Sequence, residues 1–175
     1  LVDWFLPLSQ RHSTLQLVIV GIEEDPYHGL NQQAELISRL NTSESLKKRL
    51  HFPGRVGNIE DWYHRATLFV LSSRYEGFPN VLLEAMASGC CCVASDCPQG
   101  PSELIRSGEN GVLMPRDATN LQWVSQLDYL LRNEFERHQL AQSATHVRRD
   151  YAPQTLKKTF LNALDELNSS VKRHS

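Results

Sequence analysis

The chain has 175 residues, 41% of them hydrophobic, enough for one domain with a sizeable core. Its net charge of −2 gives no support for a nucleic-acid or other polyanionic partner. No apolar run reaches the roughly 18 residues needed to span a bilayer.

The elements follow in chain order. Leu1, Phe5 and Leu8 sit at helical spacing and read as the end of an amphipathic helix. With no signal peptide and no initiating Met, this start is expected to be that of a fragment. Leu15 to Val20 reads as a buried parallel strand ending at the turn Gly21. Asn31 to Leu40 and Ser43 to Leu50 read as helical. His51-Phe52-Pro53 reads as a short strand stopped by Pro53-Gly54, and Arg55-Val56-Gly57 as a turn. Asn58 is placed to cap a helix over Ile59 to Arg65, with Asp61 in its first turn. Leu68 to Ser72 is the next strand.

A strand–loop–helix follows, Arg74-Tyr75-Glu76-Gly77-Phe78-Pro79-Asn80-Val81-Leu82-Leu83-Glu84-Ala85-Met86-Ala87-Ser88-Gly89. A helix opening near Asn80 aims backbone N–H groups at the loop, which suits a phosphate. Val81, Leu82, Leu83, Ala85, Met86 and Ala87 make this helix apolar nearly all round, the mark of burial. Asn80, Glu84 and Ser88 form its one polar stripe. That stripe either faces water or faces a cleft in which Glu84 accepts hydrogen bonds from a ligand hydroxyl.

Cys91 to Ser95 is another buried strand, and Pro101 starts a short helix where its missing N–H costs nothing. Cys90, Cys91 and Cys92 are consecutive, so a strand points them to alternate faces and they cannot jointly grip a metal. With Cys97 they read as small buried apolar residues suited to a reducing cytosol. Gly111 to Met114 is the last strand. Leu121, Val124, Leu127 and Leu131 mark a helix, Phe135, Leu140 and Ala144 a second, and Leu156, Phe160 and Leu164 a third opened by Pro153. Residues 1–167 read as one domain and 168–175 as a polar, frayed tail.

Five strands alternating with helices predict an α/β fold with a Rossmann-like parallel sheet and ligands at the strands' carboxyl ends. The seven His residues show no metal spacing, and Trp4, Trp62 and Trp123 read as packing residues. No Gly-x-Ser-x-Gly, P-loop or Asp-x-Asp pattern is present.

The central stretch resembles the signature of retaining glycosyltransferases of family 4, the group 1 glycosyltransferases, which have the GT-B fold. The resemblance rests on Glu76-Gly77-Phe78-Pro79-Asn80, on Glu84 after seven intervening residues, and on Ala85-Met86-Ala87-Ser88-Gly89. Gly100-Pro101-Ser102-Glu103-Leu104-Ile105 and Gly108-Glu109-Asn110-Gly111 match in order and spacing. It implies the C-terminal, donor-binding domain, lacking the family's first strand, the Arg and Lys of the loop after it, and the N-terminal acceptor domain. The complete enzyme would be roughly twice this size, and the fragment alone would fold without transferring sugar, because catalysis needs the two-domain cleft closed.

The resemblance further implies the roles of individual residues. Glu76 would bind donor-sugar hydroxyls near the reacting centre. Gly77, Phe78, Pro79, Asn80, Val81 and Leu82 would hold sugar and phosphate, and Glu84 the two ribose hydroxyls. Arg55 and Val56 would line the nucleobase pocket, against the alternative of a plain turn with Arg55 in solvent. Gly21 would border the donor cleft. Glu23, Glu24 and Asp25 would repel a diphosphate and are expected to point away.

The implied substrates are a nucleotide-sugar donor and a glycan or lipid-linked acceptor, with no cofactor and no metal. Cys97-Pro98-Gln99-Gly100-Pro101-Ser102-Glu103 resembles bacterial members that build cell-surface polysaccharides from UDP-linked donors. Such members imply a cytoplasmic enzyme, with peripheral association at the inner face of the membrane. The alternatives are a non-catalytic nucleotide-binding or interaction module of this fold, and a sugar-nucleotide epimerase. The Gly77 to Asn80 loop argues for transfer.

Overall fold

The computed structural model describes residues 1–22, 32–39 and 44–172. Glu23, Glu24 and Asp25, and the expected helix boundaries at Asn31, Leu40 and Ser43, lie outside these residues. The described order is α1 (Val2–Arg11), β1 (Leu17–Val20), α2 (Gln32–Arg39), α3 (Glu44–Lys47), β2 (Leu50–Gly54), α4 (Ile59–Arg65), β3 (Phe69–Leu71) and α5 (Asn80–Ala87). Then come β4 (Cys92–Ser95), α6 (Pro101–Leu104), β5 (Val112–Met114), α7 (Asn120–Arg132), α8 (Glu134–Ala144), α9 (Val147–Asp150) and α10 (Pro153–Lys172). All strand pairs are parallel.

The five strands do not form one sheet. β1 pairs with β2, and β3, β4 and β5 pair in that order. Between the facing edges of β1 and β3 runs a slot of about 1570 Å³, lined by both strands and by Trp4, Leu8, Tyr63 and Leu127. The strand alternation predicted a parallel Rossmann-like sheet lacking its first strand; both groups are parallel, and the slot lies where the doubly wound order places that strand.

The three-stranded half sits between two helical layers. The period of two in β4 does this: Cys92 and Ala94 face α4, α5 and α9, while Cys91 and Val93 face α1, α7 and α8. The cysteines are buried and free, as the sequence predicts. Burial pushes the Cys90 thiol up to about 12 and the Cys91 thiol up to about 11. Neither is a nucleophile at neutral pH. Leu82 and Met86 of α5 are fully buried on the first of these layers, each contributing about 1.5–3 kcal/mol.

The second layer is seamed by α1 on α7. Trp4 stacks on Trp123 at 4.2 Å, and its indole N–H donates to Asn120 Oδ1 at 2.8 Å. The sequence predicts Leu121 on the inward face of α7; Leu121 is instead 71% exposed. The stacked Trp123 fixes the face, and Trp123, Val124, Leu127 and Leu130 are buried. Phe135 is likewise outward, at 70% exposure, while Leu140 and Ala144 of the same helix are buried. Leu156, Phe160 and Leu164 share a side of α10 as predicted, but all three are exposed. α10 runs past Asn168, where the sequence predicts a polar tail to begin, as far as Lys172.

Asp128 of α7 closes the far end of the α1 seam. It accepts from His12 Nε2 at 2.8 Å and pairs with Arg11 at 3.1 Å and Arg132 at 3.2 Å. Burial alone would raise its pKa; the His12 hydrogen bond, Arg132 and Arg11 outweigh burial and hold it below the ordinary 3.8. A lowered carboxyl stabilises the fold fully above the ordinary value, and that contribution is lost as pH falls through the lowered one. Asp128→Asn is therefore expected to cost about 1 kcal/mol at pH 7, a difference that shrinks as pH falls below 3.8. Urea denaturation of both proteins across that range measures it.

Candidate functional site

The loop between β3 and α5 is shaped from behind by Gly100. Gly100 is buried with φ +103°, and a Cβ there would fall against the Gly77 carbonyl oxygen and 2.7 Å from Pro79 Cδ. Only glycine permits both the backbone and this contact. Pro79 is fully buried and precedes the first residue of α5, so the loop enters the helix from a fixed point. The Phe78 ring meets Tyr151 at 5.7 Å, and Tyr75 lies against the Arg116 guanidinium at 5.7 Å. Ser95 Oγ donates to the Ser73 carbonyl, tying the loop's start to the end of β4.

The predicted phosphate donors divide. Asn80 N–H donates to the Phe78 carbonyl at 3.0 Å, and Leu82 N–H to the Pro79 carbonyl at 3.0 Å. These two are spent within the turn. The N–H groups of Gly77, Phe78 and Val81 donate to no described residue and remain for a ligand. The sequence shows the helix start but not which of its N–H groups the turn consumes.

Glu76 is half-buried in the loop and makes no hydrogen bond or ion pair with a described residue. Glu84 is exposed on α5, and Tyr63 Oη donates to its Oε2 at 3.4 Å. Gly21, with φ +86°, ends β1 and donates its N–H to the Gly54 carbonyl at 2.8 Å. Gly21, Val81 and Glu84 all line the slot between β1 and β3, whereas Glu76 to Asn80, Arg55 and Val56 do not. Arg55 is exposed and Val56 half-buried just past β2, at the same carboxyl end as Gly21.

Two local expectations change. Pro53 and Gly54 lie inside β2 rather than ending it, as an edge strand allows. Asn58 occupies the cap position of α4 without a side-chain cap bond, because its amide donates to Asp61 Oδ2 at 2.5 Å instead. Tyr63 and Tyr151, which hold the site's parts, were not singled out in the sequence, and Gly100 entered there only as the first residue of a matching motif. Tyr63 shows there only as the i+4 partner of Ile59 on an apolar helix face. Among the described residues no three His, Cys, Asp or Glu side chains converge to hold a metal ion, and no helix is long and apolar enough to cross a membrane.

Parallel strands with helices on both faces and a glycine-shaped loop at the carboxyl ends give the chain the architecture of the C-terminal half of a GT-B glycosyltransferase. The chain belongs to the family of glycosyl transferases group 1, which it matches over residues 1–133. It is 29% identical over 150 residues to the amylovoran biosynthesis glycosyltransferase of Erwinia amylovora, covering 86% of this chain and 40% of that protein. The crystal structure of the C-terminal domain of a glycosyl transferase group 1 protein from Francisella tularensis superposes with a TM-score of 0.71 at 26% identity, over 85% of this chain and 75% of that one. The Anabaena protein HepE, solved in complex with UDP, superposes with a TM-score of 0.79 at 20% identity, over 95% of this chain and 44% of that one. The chain thus spans well under half the length of the Erwinia relative.

Proposed function

We propose that this chain is the donor-binding half of a retaining glycosyltransferase that moves a sugar from a UDP-sugar to a glycan or lipid-linked acceptor during cell-surface polysaccharide synthesis. The observation that carries it is the loop-to-helix arrangement: a half-buried Glu76 without a hydrogen-bond or ion-pair partner among the described residues, N–H groups at Gly77, Phe78 and Val81 unspent on those residues, and Glu84 on the helix they lead into. Leaving-group charge on a diphosphate suits N–H donors at a helix start. A carboxylate suits sugar and ribose hydroxyls, which it accepts from.

In this reading Glu76 contacts the donor sugar, the unspent N–H groups of Gly77, Phe78 and Val81 hold sugar and phosphate, and Glu84 takes the ribose. Arg55 and Val56 face the nucleobase, and Gly21 borders the cleft. Glu76 is not assigned as a covalent nucleophile, because the two glutamates serve different parts of one donor rather than flanking one bond. The enzyme works at the cytoplasmic face of the membrane. Support for uridine comes from the UDP bound by the structural neighbour HepE, and for the process from the amylovoran biosynthesis relative.

Titration calorimetry on the polypeptide at the full length of its relatives, with UDP, GDP and ADP in chelator, tests the donor. Tightest binding to UDP is expected, with transfer activity unaffected by chelator. A preference for GDP overturns the choice of base. Activity lost in chelator and restored by Mn²⁺ or Mg²⁺ overturns the metal-free reading.

A further inference from the structure

We infer that Tyr63 is a positioning residue for nucleotide recognition: its hydroxyl holds the Glu84 carboxylate in the orientation that receives the ribose. This rests on the proposed ribose role of Glu84. The Tyr63 ring is 5% exposed, packed among Leu82, Ala85 and Met86 and set edge-on to Phe69 at 5.6 Å and 83°. A ring fixed on two sides has no freedom to follow its partner. The partner is the free one: Glu84 stands exposed at the slot, and the hydroxyl reaches Oε2 at 3.4 Å. The rigid group therefore sets the position of the mobile group.

The hydrogen-bond inventory fits a ligand on the far side. An ionised carboxylate offers about four lone-pair sites, and Tyr63 occupies one on Oε2. No other described residue donates to Oε1 or Oε2, which leaves room for two hydroxyl donors. Tyr63 itself acts as a donor here, since burial and the adjacent carboxylate push its hydroxyl well above the ordinary phenol range. An unheld glutamate loses rotamer freedom on binding, and a preoriented one has already lost it.

The test compares UDP with 2′,3′-dideoxy-UDP by calorimetry on the full-length polypeptide, using parent, Tyr63→Phe, Glu84→Gln and the double variant. The parent is expected to prefer UDP by about tenfold or more. Tyr63→Phe, which keeps ring and packing, is expected to lose about fivefold of that preference while binding the dideoxy ligand as the parent does. The double variant is expected to match Glu84→Gln alone, because both act on one contact. If Tyr63→Phe weakens both ligands equally, or keeps the full preference, Tyr63 is only a packing residue and the inference fails while the Glu84 role stands. If the parent does not distinguish the two ligands, the ribose role of Glu84 fails first and takes this inference with it. Melting curves of Tyr63→Phe report any loss of folding separately.

Discussion

Glu76→Gln is expected to leave the affinity for free UDP nearly unchanged and to lower turnover by two orders of magnitude or more. Glu76 lies before α5, in the loop where the Gly77 and Phe78 N–H groups are unspent, and it makes no hydrogen bond or ion pair with a described residue. In the proposed reading its contacts go to the donor sugar, where positive charge grows as the bond to phosphate breaks. Interactions that strengthen only in the transition state appear in kcat, not in ground-state binding. Glu84→Gln is expected to do the reverse, weakening free UDP by roughly tenfold with a smaller effect on turnover of saturated enzyme. Calorimetry with UDP and steady-state kinetics at saturating donor, on the full-length polypeptide, separate the two. Equal weakening of free nucleotide by both variants would refute this division of roles. No effect from either would make the polar side of α5 a solvated surface.

Gly100→Ala is expected to disturb the same loop from behind. Two costs add: a left-handed φ of +103° that an L side chain resists, and a methyl driven into the Gly77 carbonyl and to 2.7 Å from Pro79 Cδ. Backbone and a proline ring cannot swing aside as a flexible side chain would. A loss of about 3 kcal/mol or more in stability follows, read from the urea midpoint. UDP-sugar affinity should fall further than that of UDP, because the displaced residues are those proposed to hold the sugar. Gly108→Ala is the control: its φ is +83°, but nothing lies within 4 Å of the added carbon. Backbone strain alone then acts, about 1 kcal/mol. Similar losses at both positions would show that the contact with the loop contributes nothing.

Periodicity made much of this architecture readable. The alternation Cys91-Cys92-Val93-Ala94 predicted a strand buried on both faces, and it divides its side chains between two cores. Pro101 marked the start of α6, and Asn80 that of α5. What stayed hidden depended on partners distant in sequence. The inward face of α7 is chosen by Trp4, more than a hundred residues away, so Leu121 looked inward on spacing alone. Tyr63 reaches Glu84 only once α4 packs on α5. The four-residue α9 is too short to show a period, and so Arg148, whose guanidinium donates to the Ala87 carbonyl at 2.5 Å, gave no signal. The motif residues marked where the site lies, and the residues that hold it had to be found in space.

The slot between β1 and β3 has a mechanical consequence. Gly21, Arg55 and Val56 ride on one hydrogen-bonded pair of strands, and Glu76, the α5 N-terminus and Glu84 ride on another group of three. Within each group the ladder sets distances stiffly. In the doubly wound strand order the first strand lies between the second and the fourth, and the slot occupies that place. A strand paired there would ladder β1 to β3 and tie the proposed base-holding and sugar-holding lips into one piece, so amide exchange in β1 and β3 is expected to be slower in polypeptide at the full length of the relatives than in these residues alone.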